Sequence, residues 1–173
     1  KRLGLPVSRF IAATNANDAV PRYLLSGEYR PNAAISTYSN AMDVGNPNNF
    51  PRLLDLCRNR IENVRKEIWG QSATDEETLQ QMHNVWDRFR YISDPHTAVG
   101  IHAWEAYRKA HPEPSQGLVL ATAHPAKFAE IVQKGIGIAP PLPSRLAEYL
   151  NRPKLSLPMT TNYDAFKQFL LSH

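Results

Sequence analysis

Apolar residues along the chain follow two periods, and the points where the period changes mark the elements. Arg9-Phe-Ile-Ala-Ala-Thr14 and Leu118-Val-Leu-Ala121 are short apolar runs that each end in polar residues, the pattern of strands buried on both faces of a parallel sheet. Ala34 to Tyr38 is a weaker strand candidate. Phe50 to Ile68 places Leu53, Leu54, Cys57, Ile61, Val64 and Ile68 on one stripe, which predicts a single amphipathic helix opened by Asn49 and ended by Gly70. Further helices are expected from Asp18 through Leu25, closing near Gly27, and from Thr74, whose spacing to Glu77 is that of a capping box. The Thr74 helix should turn Leu79, Met82, Trp86 and Phe89 inward, and Asp94-Pro95 should start another that reaches Ala110. Phe128, Ile131 and Val132 recur at helical spacing after Pro125.

Both ends of the chain read differently from its middle. Lys1 to Gly4 reads as the last turn of a helix with a glycine stop, and Pro6 follows as a breaker. The tail is punctuated by Pro140, Pro141, Pro143, Pro153 and Pro158, with short helices at Ser144 to Leu150 and Tyr163 to Leu171. Two or three buried parallel strands cannot cover each other's edges, so this is expected to be part of a larger α/β domain whose remaining strands lie elsewhere.

Composition narrows the function classes. A hydrophobic content of 42% with 21% charged residues is that of an ordinary globular protein, and no apolar run has the length of a membrane helix. The net charge of +4 has no dense Lys/Arg block behind it, so neither nucleic acid nor membrane is expected as a partner. Cys57 is the single cysteine, which leaves no internal disulfide and suits a reducing cytoplasm.

Polar residues collect where the apolar runs end, which is where ligands bind in open parallel sheets. Thr122 either bonds a ligand atom such as a ring nitrogen or satisfies backbone groups at a helix entry. His124 is either an acid/base group or a structural residue before a helix-opening proline. Asn15, Asn17 and Asp18 follow the first strand. The loop from Ser39 to Asn49 holds Asn40, Asp43, Asn46, Asn48 and Asn49, amides suited to orienting a substrate and equally to making turns. His96 and His102 are six apart and fall on different helix faces, so no metal site is expected. Lys127, one turn into a helix, is expected to face solvent, and the chain has no phosphate loop and no nucleophile elbow.

Four segments together resemble the C-terminal part of threonine synthase, in its bacterial and fungal branch. They are Phe10-Ile-Ala-Ala-Thr-Asn-Ala-Asn-Asp18, Ser39-Asn-Ala-Met-Asp-Val-Gly-Asn-Pro-Asn-Asn-Phe-Pro-Arg52, Asp94-Pro-His-Thr-Ala-Val99 and Thr122-Ala-His-Pro-Ala-Lys-Phe128. The resemblance implies an α/β fold of the tryptophan-synthase-β type, with few parallel strands, a helical insertion and a sheet incomplete on its own. It implies pyridoxal 5'-phosphate as cofactor and the conversion of O-phospho-L-homoserine and water into L-threonine and phosphate.

By that resemblance Thr122 bonds the pyridine nitrogen, Asn40 and Asp43 line the substrate side, and Asn15, Asn17 and Asp18 sit beside the cofactor. His96 and His124 line the site without an assigned role. The Schiff-base lysine and the phosphate-cradling loops are expected upstream, in an N-terminal part that acts as this chain's partner, so this segment alone is expected to be inactive. The implied partition is 1–49 as the end of the cofactor-domain sheet with its Asn-rich loop, 50–93 as a helical insertion, 94–135 as the returning helix, strand and helix, and 136–173 as a proline-rich tail. The rivals are a related phospholyase or inactive homologue of the same fold, and a non-enzymatic α/β binding module.

Overall fold

A computed structural model of the chain describes residues 1, 3–150 and 152–172, and it divides into two compact units, Lys1–Pro141 and Leu142–His173. The first unit is organised around two parallel strands, β1 (Phe10–Thr14) and β2 (Ile68–Ser72), in register from Phe10 opposite Ile68 to Thr14 opposite Ser72. Between them run α1 (Ala19–Ser26), a loop with a 3-10 turn at Asn40–Met42, α2 (Phe50–Leu56) and α3 (Ile61–Glu67). After β2 come α4 (Asp75–Phe89), α5 (Pro95–Ala110), a 3-10 turn at Pro125–Phe128, and α6 (Ala129–Ile136). The second unit holds α7 (Ser144–Leu150) and α8 (Tyr163–Ser172), whose described residues are nearly all exposed.

Successive side chains of a strand point to opposite faces, and β2 identifies what covers each face. Trp69 packs edge-on against Tyr107 of α5, with ring centroids 5.4 Å apart. Gly70 faces the other way, onto α1, where a Cβ would lie 2.8 Å from Leu24 and 3.0 Å from the Pro21 backbone. The small sheet therefore lies between α1 and α5. Beside it, Tyr23, Leu24, Phe50, Cys57 and Val64 form one apolar cluster, and Met82, Ala98, Val132 and Ile136 form a second where α4, α5 and α6 meet.

Local chemistry accounts for where the helices begin and end. The Thr74 hydroxyl accepts the Glu77 N–H at 3.1 Å while the Glu77 carboxylate accepts the Thr74 N–H at 2.8 Å, so the capping box at α4 is complete. Gly27 closes α1 with φ of 80°, a left-handed conformation that costs glycine little. Asp94 caps α5 by accepting the N–H groups of His96 and Thr97. Burial pushes the Asp94 carboxyl up, but hydrogen bonds from the His96 and Thr97 side chains and backbones outweigh it, and its pKa falls below the usual carboxylate value.

Several sequence expectations need correction. The stripe from Phe50 to Ile68 packs as expected, but on two helices: Arg58 and Asn59 take left-handed φ values of 58° and 52°, and the Asn63 amide bonds the Cys57 carbonyl across the break. Gly70 does not end a helix; it lies inside β2, a strand not anticipated, where its lack of a side chain admits α1. Phe89, expected inward, is 65% exposed at the last turn of α4.

The two remaining strand candidates lie outside the sheet. Ala34 to Tyr38 is irregular, for reasons that belong to the site described below. Leu118 to Ala121 is in neither strand of the sheet, although it lies against α5, with Val119 over Gly100 and Gly117 against the Trp104 ring. Its other face is bare, with Leu118 88% and Leu120 72% exposed. Alternating covered and bare positions are those of a strand supported on one side only. At the N-terminus the Gly4 N–H donates to the Lys1 carbonyl at 2.9 Å, with Gly4 at a φ of 94°.

Gly70→Ala is expected to destabilise the fold by about 1–3 kcal/mol through overpacking against α1, measured as a shift in the urea midpoint. Asp94→Ala is expected to cost about 3 kcal/mol at neutral pH, from the lost cap and the buried donors left unpaired. Because its folded pKa is depressed, the Asp94 contribution is complete above the unfolded value near about 4 and is lost as pH falls through the folded value. The stability gap between wild type and Asp94→Ala should therefore narrow in acid, which urea titrations at neutral and acidic pH will measure.

Candidate functional site

The polar residues beyond the end of β1 turn inward. Asn15 is 1% and Asn17 7% exposed, and the Asn15 carbonyl oxygen accepts both the Asn17 backbone N–H and its side-chain amide at 2.9 Å. This is the local side-chain turn that asparagine makes readily. The remaining amide atoms reach across to the loop. Asn17 grips the Ile35 peptide at both ends, accepting its N–H at 2.7 Å and donating to its carbonyl at 2.9 Å. Asn15 donates to the Thr37 hydroxyl at 2.8 Å and to Asp43 Oδ1 at 2.9 Å. Asp43 in turn accepts the Thr37 N–H at 3.0 Å and its hydroxyl at 2.7 Å.

These bonds explain why Ala34 to Tyr38 is not a strand. The peptide groups of Ile35 and Thr37 that a neighbouring strand would use are taken by Asn17 and Asp43, and the Tyr38 N–H is taken by Asp75 at 2.9 Å. Lys134 of α6 lies over the Tyr38 ring at 4.3 Å and donates to its hydroxyl. At the far end of the loop the Tyr29 hydroxyl donates to the Asn46 side chain at 2.8 Å, and the Tyr29 ring stacks on Phe50 at 3.7 Å.

His96 closes the ring of attachments. Its Nδ1 lies 2.9 Å from Asp94 Oδ1, and its Nε2 lies 3.1 Å from the Ala41 N–H. The carboxylate can only accept and the amide can only donate, so the proton belongs on Nδ1 and Nε2 is the acceptor. Asp94 is 1% and His96 7% exposed, and the Phe128 ring packs on the imidazole with centroids 4.6 Å apart. The 3-10 turn bearing Asn40 is thereby fastened to the start of α5, and the Pro125–Phe128 turn is brought alongside.

The sequence-predicted residues now fall into three groups. Asn15, Asn17, Asp43 and His96 spend their polar atoms on the loop and determine its shape. Asp18 pairs with Arg22 at 2.7 Å, and His124 accepts the Ala126 N–H at 3.1 Å, the helix-entry role. Asn40 and Thr122 are exposed, and neither side chain bonds another group among the described residues. They are the candidates none of whose side-chain polar atoms is engaged among the described residues. The exposed Thr122 hydroxyl can donate or accept a single hydrogen bond.

Sequence reasoning passed over Thr37, Ser39, Asp75, Asp94 as an anchor for His96, and Tyr38 with Lys134. The signal within reach was Asp94-Pro-His96, an N-cap two residues before a histidine, which lets one carboxylate hold both the helix start and the ring. The Thr14 hydroxyl and the Ser93 hydroxyl are buried without a partner among the described residues. No three His, Cys, Asp or Glu side chains gather as a metal site among the described residues. No helix among them is long and apolar enough to cross a membrane.

Comparison with known proteins gives the arrangement its context. Residues 97–170 match the family described as threonine synthase, C-terminal. The threonine synthase of Serratia marcescens is 45% identical over 171 residues, covering 99% of this chain and 39% of that protein. The crystal structure of threonine synthase from Escherichia coli superimposes with a TM-score of 0.85 at 43% identity, over 99% of this chain and 39% of its own. That of PLP-bound threonine synthase from Brucella melitensis gives 0.84 at 28% identity, over 98% of this chain and 41% of its own. The chain thus spans about two-fifths of the length of the relatives it matches. With its whole length aligned to them and its α/β fold shared, the chain is similar to the C-terminal part of threonine synthases.

Proposed function

We propose that this chain forms one wall of a pyridoxal-phosphate site in a larger enzyme that converts O-phospho-L-homoserine and water into L-threonine and phosphate. The observation that carries the proposal is the likeness along the whole chain, 45% identity over 171 residues of a threonine synthase. The bare face of Leu118 and Leu120 and the two-stranded sheet support the larger assembly, because both leave apolar surface and strand edges for further polypeptide to cover. Pyridoxal phosphate, when bound, would supply the electron sink for the loss of phosphate from the substrate's Cγ and the addition of the water hydroxyl at its Cβ.

The residues of this chain take supporting parts. Thr122 donates or accepts one hydrogen bond at the pyridine nitrogen, and as a neutral hydroxyl it does not force a proton onto the ring as a carboxylate would. Asn40, with its amide free, orients the substrate on the loop side without adding charge beside a phosphate. Asn15, Asn17 and Asp43 hold that loop, and the lysine that anchors the cofactor comes from the N-terminal part. Neither Lys127, over the Phe128 ring at 5.7 Å, nor Lys134, engaged with Tyr38, is assigned that role.

The test is turnover by the whole protein. Incubation with O-phospho-L-homoserine should release phosphate and threonine in equal amounts. Phosphate accompanied by ammonia and a 2-oxo acid would instead identify the related phospholyase. Thr122→Val, which keeps the shape and removes the hydroxyl, should lower kcat/KM by about tenfold, the worth of one neutral hydrogen bond, while Thr122→Ser stays near wild type. An unaffected Thr122→Val enzyme would remove Thr122 from the cofactor. The 173-residue chain alone, mixed with pyridoxal phosphate and treated with borohydride, should retain no cofactor mass on any lysine.

A further inference from the structure

The geometry points to His96 as a positioning residue for the substrate: the Asp94–His96 pair sets the turn that presents Asn40, by accepting the Ala41 N–H. The inference rests on the functional reading above and gives His96 a part that the family likeness leaves open.

The turn Asn40–Met42 is a single 3-10 turn, too short to hold its shape unaided, and both Asn40 and Ala41 are exposed. Attachments on either side fix the chain leading into it and out of it, at Thr37, Tyr38 and Asp43. Within the turn itself, Met42 and Asp43 donate to Ser39 and Asn40 carbonyls, at 2.9 and 3.1 Å. The Ala41 N–H is its outward contact, 3.1 Å from His96 Nε2. That peptide joins Asn40 to Ala41, so the plane to which Asn40 is attached is the one His96 holds.

His96 can do this only in one tautomer. A neutral imidazole with its proton on Nε2 would place two donors face to face at Ala41. Asp94 excludes that arrangement by demanding the proton at Nδ1, and it is itself immobilised by the Thr97 hydroxyl and the first N–H groups of α5. Phe128 covers the ring on another side. The pair therefore transmits the rigidity of α5, a 16-residue helix, to a turn that has none of its own. It touches neither substrate nor cofactor in this account, and its effect is on how Asn40 meets the substrate.

Two substitutions separate the two hydrogen bonds. His96→Asn can still donate to Asp94 but is too short to accept from Ala41, whereas the Gln side chain of His96→Gln reaches the position of Nε2 with an oxygen. In the whole protein, His96→Asn is expected to raise the KM for O-phospho-L-homoserine by about tenfold with kcat within about twofold, and His96→Gln to restore KM to within about threefold of wild type. A purely structural role would lower the active fraction, and so kcat, and leave KM alone. Amide hydrogen exchange at Ala41 should quicken about tenfold in His96→Asn and stay slow in His96→Gln. Equal KM values in the two variants, or Ala41 exchange in His96→Asn as slow as in wild type, would overturn the inference. If wild-type protein does not turn over O-phospho-L-homoserine, the functional reading is what fails, and the Ala41 exchange rates still decide for or against the latch.

Discussion

A loop without regular secondary structure must still have its buried peptide groups answered, and in this chain side chains answer them. Residues 34–45 are held by Asn15 and Asn17 beyond β1, Asp75 at the start of α4, His96 at the start of α5 and Lys134 on α6. Each of these groups sits at or near an element terminus, where free polar groups and converging backbones are found together. The loop is consequently as well determined as the elements around it, although it makes no ladder of its own. What the clamp leaves over is informative: Asn40 and Thr122 remain exposed with their polar atoms unspent.

The apolar surface follows a matching logic. β1 and β2 form a sheet with an unpaired edge on each side, and the segment from Leu118 to Ala121 lies on α5 with one face bare. Such surface is costly on a finished domain and ordinary at a seam within one. That is in keeping with a chain that aligns to about two-fifths of its relatives, 39% of the Serratia marcescens protein. Thr122, with its hydroxyl unspent, directly follows the segment whose outer face is bare.

Much of this was legible in the residues. Helices α1, α4, α5, α7 and α8 follow from caps, glycine stops and apolar stripes close to where they lie, because those signals are local. The failures share a different cause. The break after α2 rests on left-handed Arg58 and Asn59, which no periodicity reports, and Gly70 reads as a helix stop until α1 is seen pressing on it. Ala34 to Tyr38 has strand composition but loses its peptide groups to distant side chains. In the site, the Asn-rich loop and the histidine were visible as residue types, whereas the division between those that shape the loop and those left free needed the hydrogen bonds. The family likeness supplied the cofactor, which neither spacing nor composition could.

The most direct test of the account is a crystal structure of the whole protein with pyridoxal phosphate and a substrate analogue bound. The account requires the Thr122 hydroxyl within about 3 Å of the pyridine nitrogen, with the Asn40 amide turned toward the analogue and the loop still clamped by Asn17 and His96. A cofactor ring bound elsewhere, or a loop that abandons its Asn17 and His96 attachments to engage the ligand, would contradict it.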